Sequence, residues 1–141
     1  MSAKNYLDGT IPMEGVGSTV KPITLLYRSL LHADYPSIYI RIGNMITLYL
    51  PMVNELPTAT YVAPIQITVP VEIAPKYPQI IHGFSVSDAD GTQMSCLELG
   101  TGANIMMLGK EPASGYSPVG FNYTTMVSTT ACRFITYEAY E

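Results

Sequence analysis

The stretch SIYIRIGNMITLYLP, residues 37–51, sets the tightest limit on the fold. Ile38, Ile40 and Ile42, then Ile46, Leu48 and Leu50, repeat every second residue, which is the period of a β-strand and not of a helix. Gly43-Asn44 between them reads as a hairpin turn. Two registers are open. A two-residue loop pairs Ile42 with Met45 and Ile40 with Thr47, and puts the two apolar triplets on opposite faces. A one-residue bulge pairs Ile42 with Ile46, Ile40 with Leu48 and Ile38 with Leu50, leaving Tyr39, Arg41, Thr47 and Tyr49 on the other side. Pairing large apolar side chains across strands favours the bulge. In either register the second face carries tyrosines, a composition that suits a subunit contact better than open water.

Beyond the hairpin, ATYVAPIQITVPVEI, HGFSVSDADGTQMSCLELGTGANIMMLGK and VGFNYTTMVSTTACRFITYEAY read as further strands and turns. Prolines at 51, 57, 64, 70, 75, 78, 112 and 118 fall between or at the rims of these runs, where a missing N–H costs little. The expectation is an all-β chain, an antiparallel β-sandwich or jelly roll with turns at intervals of roughly ten residues. The one helical candidate is ITLLYRSLLHA, residues 23–33, where Leu26, Leu30 and Ala33 are spaced by four and three. Residues 1–22, rich in Gly, Ser and Pro without a sustained period, are expected to form an N-terminal arm, and 23–141 a single β-sandwich domain.

Charged residues make up 13% of the 141 and hydrophobic residues 48%, so a lone copy would struggle to cover itself with polar groups. An oligomer is expected. The formal charge of -4 and only 7 Lys and Arg argue against a nucleic-acid partner, because a phosphate-binding face needs clustered cations. No apolar run approaches the roughly 20 residues that span a bilayer, and the N-terminal residues show no secretory leader. Membrane insertion is therefore not expected, and the chain reads as made in soluble form. Cys96 and Cys132 sit in apolar strand-like contexts and read as buried thiols, a disulfide being the lesser alternative.

Catalytic patterns are weak. Asp88 and Asp90 precede Gly91 as in a calcium loop, but the twelfth position from Asp88 is Leu99, where a bidentate Glu is required. An Asp- and Gly-capped β-turn accounts for the pattern. GVGSTVK (15–21) and GTGAN (100–104) lack the context of a phosphate-binding loop. His32 and His82 have no thiol or carboxylate at a catalytic spacing, no G-x-S-x-G elbow occurs, and Glu55, Glu72, Glu98 and Glu111 are scattered singly. No enzyme, metal or cofactor is expected. The aromatic inventory is 11 Tyr, 3 Phe and no Trp, and tyrosines gather in contact surfaces because they bring a large apolar body with a polar tip.

These segments, in order, resemble the C-terminal head domains of viral and bacteriophage fibres or spikes. RIGNMITLYL (41–50) is similar to that family's Gly-Asn hairpin, ITVPVEIAPKYPQ (67–79) to its Leu-Pro…Tyr-x-Pro segment, CLELGTGANIMM (96–107) to its strand–turn–strand element, and GFNYTTMV (120–127) to its closing aromatic strand. The resemblance covers residues 37–141. It implies a trimeric, jelly-roll-like head, tumour-necrosis-factor-like in layout, that acts in host attachment as part of a virion. It further implies partners in two identical copies, in a host-surface glycan or protein receptor, and in other virion proteins; the alternative is a purely architectural decoration or assembly module. Under this reading Asp88, Asp90, Asn54 and Tyr116 are the candidate ligand contacts, and Tyr39, Tyr49, Tyr123 and Tyr137 the candidate trimer contacts.

Overall fold

The computed structural model describes residues 19–29, 31–57, 62–100, 104–113, 117–122, 127–129 and 133–141. The described chain is all-β and antiparallel. Its strands are β1 (Thr19–Arg28), β2 (Ala33–Ile42), β3 (Met45–Leu50), β4 (Asn54–Glu55), β5 (Val62–Ala63) and β6 (Ile65–Thr68). After a single 3-10 turn at Val71–Ile73 come β7 (Gln79–Asp88), β8 (Gly91–Leu99), β9 (Ile105–Lys110), β10 (Phe121–Asn122), β11 (Val127–Thr129) and β12 (Arg133–Glu138). Ten of them form one sheet in the order β12-β3-β2-β1-β6-β9-β8-β7-β11-β4, and β5 pairs with β10 alone.

The sheet is strongly curled, a half-barrel, and its inner face is the core. Leu25 and Tyr27 on β1 are buried with Tyr39 on β2, Ile46 and Leu48 on β3, and Ile135 and Tyr137 on β12. Ile65, Ile67, Leu97, Leu99, Met106, Leu108 and Val86 continue the same layer across the sheet. Contacts between strands far apart in sheet order mark the curl. The Tyr35 hydroxyl of β2 donates to Glu55 Oε1 of β4 at 2.6 Å, and Arg133 of β12 donates to the His82 carbonyl of β7 at 2.9 Å. The Tyr137 hydroxyl closes one end by donating to the Ile73 carbonyl at 2.7 Å.

Three expectations are corrected. The 37–51 hairpin takes the two-residue loop, with Ile42 opposite Met45 and Ile40 opposite Thr47. Gly43 has φ +60 and Asn44 does not share it, the arrangement of a type II′ turn, whose twist matches the strands without a bulge. Residues 23–28 of the helical candidate are instead strand: β1 runs from Thr19 to Arg28 because Leu25 and Tyr27, two apart, both reach the core, and this period-2 burial outweighs the local spacing of leucines. Residues 19–22, expected in the arm, are thus the start of β1; residues 1–18 lie outside the described residues.

Candidate functional site

One end of the sheet, around the β7–β8 turn, gathers three of the four residues expected to contact a ligand. Asp88 ends β7 and Gly91 begins β8, paired across a two-residue turn. Gly91 takes φ +101, a conformation that a residue with a Cβ adopts only with strain. The Asp90 amide donates to Asp88 Oδ1 at 2.9 Å, so the turn carries the Asp cap expected from SDADGT.

Beneath the turn Asp88 points inward and its carboxylate is fully buried. Its charge is met by Lys110 Nζ at 3.1 Å from the end of β9 and by the Asn122 amide of β10, which donates to Oδ2 at 2.7 Å. Asp90 is exposed, accepts from the same Lys110 at 2.9 Å and takes a bond from Asn122 Nδ2 at 3.1 Å. The Lys110 bond, then the Asn122 bond, hold the Asp90 carboxyl below its ordinary value. Burial pulls the Lys110 ammonium down, but its hydrogen bonds to Asp90 and Asp88 more than offset this, and its net shift is upward. Every oxygen of both aspartates has a partner, so this group works as a clasp that fixes the turn. Among the described residues no cluster of three or more His, Cys, Asp or Glu could hold a metal.

On the outer face beside the clasp, four neutral polar residues lie directly opposite one another in a lateral row. Asn54 of β4 faces Ser128 of β11, Ser128 faces Ser87 of β7, and Ser87 faces Thr92 of β8. The Ser87 and Thr92 hydroxyls are 2.9 Å apart in a hydrogen bond. At the usual strand separation the row spans roughly 14 Å. Asn54 and Thr92, at its ends, are exposed, and the two serines between them are half-buried. Side chains with both donors and acceptors, held in register by strands, can exchange hydrogen bonds with a hydroxyl-rich ligand without the desolvation cost of a charge.

The other expected residues separate. Tyr39 and Tyr137 are 1% and 2% exposed, packed into the chain's own core, so neither presents a side chain to another subunit; the two-residue hairpin loop is what turns Tyr39 inward. Burial, followed by the neighbouring Tyr39, pushes the Tyr137 phenol well above its ordinary value. Tyr49 does lie on the outer face, its ring 5.1 Å from that of Phe134. Tyr116, Tyr123 and Cys132 lie outside the described residues. Cys96 is a buried free thiol, raised by burial and then by the charges of Glu111 and Glu98.

Ser128 was not among the candidates from sequence, and Ser87 and Thr92 entered only as the ends of the segment SDADGT (87–92), a guessed contact region, without being singled out. The alternation Phe84, Ser85, Val86, Ser87 carries a signal for outward serines, but the row joins residues 54 and 128, and only the strand order brings those together. Compared with known proteins, the chain matches no family model and no curated protein.

Proposed function

We propose that this chain is a non-enzymatic viral structural protein, a homotrimeric fibre-head-like module that binds a ligand at a host or particle surface and resides in the virion. The observation that carries the reading is the conjunction at one sheet end of a row of neutral hydroxyl and amide groups, exposed at both its ends, with a turn immobilised by the Asp88–Lys110–Asn122 clasp. A preorganised, uncharged surface of this kind suits a glycan, and three copies engaging together would multiply a weak affinity without new contacts. In this reading the curled sheet supplies both layers of a jelly-roll-like sandwich, with β12-β3-β2-β1 folded over β7-β11-β4 through the Tyr35–Glu55 contact.

A glycan array probed with the wild type and with Thr92→Ala and Asn54→Ala tests it. Hits that both variants weaken by roughly tenfold, the scale of one or two lost hydrogen bonds, support the reading. An empty array, or hits indifferent to both substitutions, overturns glycan attachment through this row. The architectural alternative is favoured by one observation, the apolar outer face of β1, β2, β3 and β12, and it predicts an empty array together with co-purification with particles.

A further inference from the structure

The outer face of the β12-β3-β2-β1 half of the sheet is apolar where solvent would lie. Val20, Ile42 and Phe134 are 53%, 50% and 54% exposed, and Ile38 and Met45 are similarly open. These five come from four adjacent strands, so their side chains form one patch and are not scattered single exposures. Between Ile38, Tyr49 and Phe134 the patch dips into a groove of about 360 Å³, bordered also by Pro36 and Ser37. Ser37 adds no free polar group there, because its hydroxyl donates to the Tyr49 carbonyl.

We infer that this face is covered by a second copy of the chain, a step that rests on the self-association in the reading above and names the surface that performs it. Two features of the patch point to a copy of the chain as occupant. The first is area. The five side chains expose on the order of 500 Å², and with the flanking Pro22, Pro36, Ile40 and Tyr49 the patch approaches the roughly 800 Å² per partner that a stable complex buries. The second is the placement of charge. The ion pairs of this face stand at its two ends, Arg28–Asp34 at 2.8 Å and Lys76–Glu138 at 3.2 Å, and the centre, where Thr47 and Thr136 share a hydrogen bond, carries none. An apolar centre with a polar rim is the anatomy of a protein interface. A face whose charges are neutralised within the chain meets a neighbouring copy without repulsion. The same neutrality makes it a poor match for an anionic lipid surface, which would need unpaired cations.

Light scattering across a dilution series tests the inference. Thr47→Arg places a charge at the centre of the face while changing only an outward side chain, and Ile42→Asp does the same toward one end. Met94→Asp, on β8 and 63% exposed, is the control. The expected result is a wild-type mass that is a multiple of 15.4 kDa, a dissociation constant raised on the order of 100-fold or more in both face variants, as burial of an unpaired charge demands, and an unchanged Met94→Asp. Circular dichroism of each variant confirms that the dissociated copies remain folded; should one unfold, the other decides. A wild-type multimer that both folded face variants retain overturns this inference and leaves self-association standing. A wild type at 15.4 kDa at high concentration overturns both, as does a monomer that instead sediments with phosphatidylserine vesicles.

Discussion

Replacing Asp88 by Asn tests the clasp beneath the β7–β8 turn, because the substitution keeps size and shape and removes charge. Asp88 accepts the Asp90 amide on one oxygen at 2.9 Å. On the other it accepts the Asn122 amide at 2.7 Å and Lys110 Nζ at 3.1 Å. In either orientation of the Asn side chain its NH₂ group faces a donor, so one buried backbone N–H loses its acceptor. The charged bond contributes roughly 1.5–3 kcal/mol and an unsatisfied buried donor costs about 1–3 kcal/mol. Lys110 keeps Asp90 at 2.9 Å, so its ammonium is not orphaned, and the total comes to roughly 2–4 kcal/mol. For a chain of this length that corresponds to a melting temperature lower by roughly 6–15 °C. Urea unfolding and calorimetry at neutral pH, at one protein concentration, measure it, with Asp90→Asn as the solvent-exposed comparison expected to lose less. A change within about 0.5 kcal/mol of wild type, the range of ordinary surface substitutions, or a loss no larger than that of Asp90→Asn, would refute the reasoning.

Two further outcomes are expected. Burial raises the phenols of Tyr27, Tyr35 and Tyr137, with the Glu55 hydrogen bond adding to the shift of Tyr35. A raised folded-state value means that their stabilising contribution is full below the ordinary value of 10.0 and is lost as pH climbs through the raised one. In an alkaline titration followed by phenolate absorbance, these three should ionise only together with loss of the β-sheet circular dichroism signal; ionisation of all 11 tyrosines in a still-folded chain contradicts this. At Gly109 an added Cβ would sit 2.5 Å from the Val119 carbonyl oxygen and 2.6 Å from Pro118 Cβ, so Gly109→Ala should cost about 1–3 kcal/mol by overpacking and speed proteolysis near Val119, whereas a neutral result in chemical unfolding would contradict so close an approach.

The strand content was legible in the sequence because period-2 alternation and turn residues coincide, as at Asp88–Gly91, where both the turn and its Asp cap are found. The hairpin register was not. Pairing Ile with Ile assumed a single apolar face, but both faces of β2 and β3 are apolar, and Tyr39 fills the core while Ile38 and Ile42 remain outside. Pairing energy between like residues cannot choose when either face accepts them; the geometry of the Gly43 turn does. At the candidate site Asp90 was legible as a turn residue, and Asn54 was named as a candidate ligand contact. The Asn54–Ser128–Ser87–Thr92 row was not, because it depends on β11 inserting between β4 and β7, a non-local pairing that no local pattern encodes.

The Tyr35–Glu55 contact across the curled sheet has a consequence for the order of events during synthesis. Glu55 belongs to a two-residue strand whose ladder neighbour is β11, so its position is set only once Val127–Thr129 have left the ribosome and joined β7. The β1–β2–β3 meander can form early from local contacts, but its inner face must wait, greasy and uncovered, for the last strands of the chain. Nascent copies on one message would therefore meet first through unfinished cores, and a holdase chaperone acting before release should raise the yield of native protein more than one added afterwards.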